Sequence, residues 1–202
     1  MTIERPFRLG VTGGIASGKS AVMAILAELG AETIDADRVY HGLIEPGRPL
    51  FLALVERWGQ GILASDGSID RRRLGRIVFG DPNELAELDR LTHPAIRSDI
   101  DNLFNISNAN VVAIDAVKLI ESGHADQCDA VWLIVADPSR QIERLVRSRG
   151  LSVEDAIRRV AAQPSIDARL ARADISIYNN GSPADLRRRV LHEWQRLPPN
   201  RT

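Results

Sequence analysis

The stretch Gly13-Gly14-Ile15-Ala16-Ser17-Gly18-Lys19-Ser20 constrains this chain more than any other. It fits G-x-x-x-x-G-K-[ST], a loop whose successive backbone N–H groups point into one concavity and cradle phosphate. The flanks agree with the motif. Phe7 to Thr12 reads as a short apolar strand, and Val22, Ile25, Leu26 and Leu29 recur at i, i+3, i+4 and i+7, one face of a helix. That order puts the positive end of a helix dipole at the loop, where it adds to the attraction for phosphate. Gly13 and Gly18 supply backbone freedom and close approach. Lys19 is expected to reach the β- and γ-phosphates of a nucleotide, and Ser20 to ligate Mg²⁺. An ordinary strand-to-helix turn is the alternative, and motif and context together speak against it.

Composition narrows the setting. A chain of 202 residues buries a proper core and suits one compact domain with inserted subdomains. With 44% hydrophobic and 26% charged residues it is globular rather than disordered. A formal net charge of −1 gives no general grip on nucleic acid, and Arg71-Arg72-Arg73 reads as a solvated helix face. Cys128 is the sole cysteine, which excludes an internal disulfide and a cysteine-based metal site. Neither a signal-peptide core nor an apolar stretch of membrane-spanning length is visible, so a cytoplasmic protein without a membrane partner is expected. The positive charge is almost all arginine; Lys19 and Lys118 are the only lysines. At Lys19 a slim point charge fits between phosphates better than a guanidinium fork.

Beyond the first helix, Gly30 is a stop and Glu32 to Ile34 a short strand running into Asp35-Ala36-Asp37. Carboxylates where a strand becomes a helix lie, in a parallel α/β sheet, at the carboxyl edge where ligands bind. Asp37 is a candidate to accept a hydroxyl proton or help hold a metal; its alternative role is helix capping, for which Asp35 is the better placed of the two. From Val39 to Phe104 the pattern is mostly helical, with caps at Asp70 and at Asp81-Pro82. Pro94 is expected to kink or split the last of these helices. His93 either satisfies a backbone group at that kink or contacts an anionic acceptor substrate. An insertion of this size between two strands of a nucleotide-binding sheet is expected to hold the second substrate.

Val111 to Ile114 is a continuous apolar run, as suits a strand buried on both faces, and it ends in Asp115. That carboxylate is placed to help hold Mg²⁺ through water or to orient the acceptor, or else it caps a helix. Ala130 to Ala136 is a second buried strand. From Ser139 a helix-turn-helix carries Arg140, Arg144, Arg147 and Arg149, broken at Gly150 and ending at Gln163-Pro164. Such a segment between the last two strands reads as a lid that delivers guanidinium groups to a transferring phosphoryl. Most of these arginines are expected to pair with Glu143, Glu154 and Asp155; Arg144 and Arg149 are the two assigned to ATP. Asp174 to Tyr178 is the last strand, and Asn179-Asn180-Gly181 turns into the closing helix.

These parts, in this order, resemble the dephospho-CoA kinase family over nearly the full chain. The resemblance rests on Leu9 to Ser20, Ile34-Asp35-Ala36-Asp37, Glu45-Pro46-Gly47, Asp66 to Arg71, Thr92-His93-Pro94-Ala95-Ile96, Leu119-Ile120-Glu121-Ser122-Gly123, Arg149-Gly150-Leu151-Ser152, Ala161-Ala162-Gln163 and Asn179 to Ser182. It implies an α/β P-loop kinase with a five-stranded parallel sheet, a helical acceptor domain and a helical lid. The core is then 1–38, 106–138 and 173–202, the acceptor-binding insertion 39–105 and the lid 139–172. The implied reaction moves the γ-phosphoryl of ATP to the ribose 3′-hydroxyl of dephospho-CoA, giving CoA and ADP. Carried over by motif, Asp37 stands beside the acceptor hydroxyl, Lys19 and Arg144 neutralise the transferring group, and Asn179 to Gly181 border the adenine. The partners implied are small molecules, and the chain a monomer or small homo-oligomer.

One stretch departs from the family pattern. The family reads Asp-x-Pro-Leu-Leu where this chain has Asp115-Ala116-Val117-Lys118-Leu119. Lys118 either pairs with Glu121 or Asp115, as a helix-start lysine does, or reaches a phosphate of the acceptor. The rival functions are a nucleoside or nucleotide kinase with the same loop, and a non-catalytic ATP-binding switch.

Overall fold

The computed structural model describes residues 5–198. They form two compact units, one comprising the chain up to Ile34 and from Phe104 onward, the other Asp35–Leu103.

The first unit is built on strands β1 (Phe7–Gly13), β2 (Glu32–Asp35), β3 (Val111–Asp115), β4 (Ala130–Val135) and β5 (Ile175–Tyr178). They make a parallel sheet in the order β2-β3-β1-β4-β5. The central strand β1 pairs Val11 with Asp115 on one side and Gly13 with Ile134 on the other, and β4 pairs Val135 with Tyr178. Every parallel neighbour needs a crossover. The sheet's order reverses about β1, so the loop leaving β1 opens at a switch point, where such sheets bind ligands.

Helix α1 (Lys19–Glu28) follows the phosphate loop directly. Its Val22, Met23, Ile25 and Leu26 pack with Leu9 and Val11 of β1, Val111 and Ala113 of β3, Trp132 and Ile134 of β4 and Ile177 of β5. Leu186 and Val190 of the closing helix, Pro183–Trp194, complete that layer. Leu9 and Leu26 are wholly buried, so truncating either to alanine would cost about 2–5 kcal/mol.

The second unit holds α2 (Ala36–Leu43), α3 (Pro49–Trp58), α4 (Arg71–Val78) and most of α5 (Pro82–Ile106). Its core gathers Ile44, Leu50, Phe51, Leu54, Ile62, Ile69, Leu74 and Val78. Asp70 caps α4 by accepting from the N–H groups of Arg72 and Arg73. Of the arginine run at the start of α4, Arg71 meets His41, and Arg73 bonds the Leu63 carbonyl and pairs with Asp70.

Helix α5 bears on one expectation: Pro94 does not split it. It runs without a break through Pro94. The proline removes one backbone donor, but Leu85, Leu88, Leu91 and Ala95 pack on the unit's core from both sides of it. Packing of an apolar face outweighs one missing hydrogen bond, since most helical stability in proteins comes from tertiary burial.

The remaining helices are α6 (Pro138–Arg149), α7 (Val153–Ala161), α8 (Asp167–Arg172) and α9 (Pro183–Trp194). Gly150 ends α6 in the left-handed region at φ 63°, and Ser152 caps α7 through the Asp155 N–H. Helix α8 lies in a stretch whose sequence shows no helical period long enough to read. It is anchored by Arg169, 8% exposed, which binds Glu121 Oε1 through Nε at 2.8 Å and a terminal nitrogen at 2.7 Å. Among the described residues no helix is long and apolar enough to cross a membrane.

Candidate active site

The phosphate loop spans the gap between β1 and α1, and its backbone is shaped by three positions. Ala16 is the one non-glycine described residue with positive φ, at 52°. Gly18, at φ 104°, precedes the first residue of α1 without a side-chain cap. A Cβ on Gly18 would stand 2.1 Å from Asn179 Nδ2, so only glycine fits there without displacing the Asn179 side chain. The Ser17 N–H bonds the Gly14 carbonyl at 3.2 Å, closing the turn on itself.

The loop's carbonyls are tied from outside. Arg144, half-buried on α6, donates one terminal nitrogen to the carbonyls of Ala16 and Ser17, each at 3.2 Å, and the other to the Asn179 carbonyl at 2.7 Å. Asn179 Nδ2 donates to the Ser17 carbonyl at 2.7 Å. One guanidinium therefore holds the phosphate loop and the loop after β5 together. Burial lowers the pKa of Arg144, with Arg140 adding repulsion, yet a guanidinium stays charged throughout the working range. Asn180 Oδ1 accepts from the Asp137 N–H at 2.8 Å, fixing the same loop to the start of α6.

Lys19 and Asp115 meet at the carboxyl edge of the sheet, Nζ to Oδ1 3.6 Å, with side chains 13% and 23% exposed. Asp115 caps no helix. Residues 116–123 form turns and Thr12 Oγ1 donates to the Val117 carbonyl at 3.2 Å. Ser20 is exposed on the first turn of α1. Ser17 Oγ is buried and has no hydrogen-bond partner among the described residues.

Lys118 is exposed at a turn rather than at a helix start. Neither expected carboxylate pairs with it: Asp115 faces Lys19, and Glu121 is held by Arg169. Arg149 is exposed at the end of α6. Other charges on this segment neutralise each other, Arg140 and Arg147 on Glu143 and Arg158 on Asp155.

In the second unit Asp35 does the capping of α2, its Oδ1 accepting from the N–H groups of Asp37 and Arg38 at 2.9 and 3.2 Å. The Asp37 carboxylate is thereby left exposed in the first turn. His93 Nε2 lies 3.3 Å from Asp89 Oδ1, one helical turn back on α5, a contact outside both sequence alternatives.

The sequence reading gave two glutamines no role at the phosphate loop. Gln163 Oε1 accepts from the Ile15 N–H at 2.7 Å, and Gln163 Nε2 reaches Gln141 Oε1 at 3.4 Å. Gln141 is 6% exposed. A glutamine beside a helix-ending proline carries no local signal of such a role; only the fold, which sets it against Ile15, reveals it.

The chain is similar to known proteins in sequence and in fold. A family model described as dephospho-CoA kinase matches residues 7–185. A dephospho-CoA kinase of Symbiobacterium thermophilum is 43% identical over 190 residues, covering 93% of this chain and 80% of the relative. Among solved structures, a Thermus thermophilus protein superposes with a TM-score of 0.82 at 29% identity, covering 96% of this chain and 100% of its own. The dephospho-CoA kinase from Campylobacter jejuni superposes with a TM-score of 0.69 at 28% identity, covering 94% and 96%. With a matching model over most of its length and a relative well above 30% identity, this chain belongs to the dephospho-CoA kinase family.

Proposed function

We propose that this chain phosphorylates the ribose 3′-hydroxyl of dephospho-CoA with the γ-phosphoryl of ATP, releasing CoA and ADP. Family membership supports the reaction, and the pairing of Lys19 with Asp115 at the mouth of the phosphate loop is the observation that carries it. Phosphoryl transfer asks little covalent chemistry of a protein. It needs the reactants positioned and the charge on the transferring oxygens balanced.

Residues 13–20 would bind the triphosphate through backbone amides, with Lys19 supplying a compact positive charge at the γ-phosphoryl. Asp37 would take the proton of the acceptor hydroxyl; its exposed carboxylate, relieved of capping by Asp35, supports that role. Arg144 would act by holding the loop in shape, and the exposed Arg149 would add charge from the segment 139–172 acting as a lid. Asn179, Asn180 and Gly181 would border the adenine. Residues 39–105 would hold the acceptor, with His93 and Lys118 contributing to its anionic groups.

The donors also fit a magnesium ion. Mg²⁺ takes one or two protein oxygens, keeps several waters and otherwise binds substrate phosphates. Ser20 Oγ would ligate it, and Asp115 would hold one of its waters. Bound there, it would supply positive charge against the phosphate oxygens.

The test is ADP release with ATP and Mg²⁺ over a panel of dephospho-CoA, adenosine, nucleoside monophosphates and no acceptor. Turnover with dephospho-CoA alone, giving a 3′-phosphorylated product, is expected. Turnover only with a nucleoside or nucleotide would overturn the acceptor assignment. ATP binding without turnover would favour a switch.

A further inference from the structure

The Ile15 amide lies in the middle of the phosphate loop, where a backbone N–H serves an incoming phosphate oxygen. In this structure it is already engaged. Gln163, just past the end of α7, places Oε1 2.7 Å from it. The side chain is held in that pose from behind: its Nε2 donates to the Val160 carbonyl at 3.2 Å and to Gln141 Oε1 at 3.4 Å. The group facing an N–H donor has to be an acceptor, so the carboxamide is fixed with its oxygen on the loop.

The space above the loop is filled to match. A Cβ on Gly14 would lie 2.4 Å from Gln163 Oε1 and 2.9 Å from Gln141 Nε2. Two carboxamides from opposite ends of the α6–α7 segment therefore sit directly on the Gly14–Ile15 peptide. An amide proton makes one good hydrogen bond, and a phosphate oxygen cannot take it while Gln163 keeps it. The anionic acceptor wins that exchange because charge-assisted bonds are the stronger. Once displaced, Gln163 no longer ties the end of α7 to the loop.

We propose that Gln163 is a stand-in for phosphate: it competes with the incoming nucleotide for the Ile15 amide. This rests on the reading of residues 13–20 as the ATP site.

The experiment compares the full chain with Gln163→Met, which keeps length but loses the acceptor, and with Gln163→Glu. Equilibrium Kd values for ADP and ATP are measured calorimetrically without acceptor. The Ile15 amide is followed by ¹⁵N NMR in the empty protein, which also reports whether each variant is folded. Gln163→Met is expected to bind both nucleotides about two- to tenfold tighter, the worth of one amide–carbonyl bond no longer opposing them. Gln163→Glu is expected to bind at least about tenfold weaker, since a carboxylate holds the amide more strongly and repels phosphate. The Ile15 resonance should move in empty Gln163→Met. Unchanged or weaker binding by a folded Gln163→Met overturns the proposal while leaving the ATP site standing. If Gln163→Met unfolds, Gln163→Ala carries the same comparison. Failure of the unaltered chain to bind either nucleotide overturns the site itself, and this proposal with it.

Discussion

Lys19 and Asp115 face each other at 3.6 Å where β1 and β3 end side by side, and the pair is mostly shielded from water. The strands' parallel register puts Asp115 opposite Val11, within a few residues of the phosphate loop. The ammonium thus rests on a carboxylate while remaining next to the loop's concavity. A phosphate entering there meets a cation already oriented, with no reorganisation needed at the moment of reaction.

Replacing Lys19 by alanine should remove that cation from beside the incoming phosphate. We expect kcat/KM to fall by about 10²–10³ and ATP affinity to weaken as well. Lys19→Arg should fail to restore the rate, because a planar fork does not occupy the place of a compact ammonium. Steady-state kinetics with ATP varied check both.

Asp35 and Asp37 should separate cleanly into structure and chemistry. Asp35→Ala removes the α2 cap and should destabilise the protein by about 1 kcal/mol. Asp37→Asn should leave the melting temperature unchanged and lower kcat by about 10²–10⁴, with the KM for ATP little affected. A near-normal kcat in Asp37→Asn would remove it as the proton acceptor.

Arg144 is expected to behave as a clamp. It bonds the carbonyls of Ala16, Ser17 and Asn179 with one fork. Arg144→Lys keeps the charge but cannot span all three, so melting temperature and ATP affinity should both drop. Full removal in Arg144→Ala should cost about 1.5–3 kcal/mol in urea unfolding, the range for hydrogen bonds to a charged group.

Cys128 supplies a pH signature. Burial, reinforced by the neighbouring Asp129 charge, pushes its thiol up to about 12 from an ordinary value of 9.0. The folded state thus keeps a proton that the unfolded chain releases. Its contribution to stability is complete below about 9 and is lost as pH rises from there towards 12. Unfolding free energy should fall more steeply over that window than in Cys128→Ala, and the native thiol should resist a disulfide reagent at pH 8.

Much of the site was legible along the chain because it is local. A glycine loop between an apolar strand and a periodic helix needs only nearest neighbours to form, and Asp35, Asp70, Ser152 and Ser182 cap the helices that follow them. Local spacing could not tell that α5 survives Pro94, because burial on both sides decided it. Nor could it give Lys118 a partner, because Glu121 and Asp115 were taken by Arg169 and Lys19.

The phosphate loop, the chemistry of its lysine and the order of motifs that marks the family are written in the residues alone. What touches that loop is set by the folded packing. Arg144 lies 128 residues from Ala16, and Gln163 lies 148 residues from Ile15. Such contacts depend on which surfaces the sheet and helices bury together. The packing around β1 chose them, and no spacing along the chain encodes that choice.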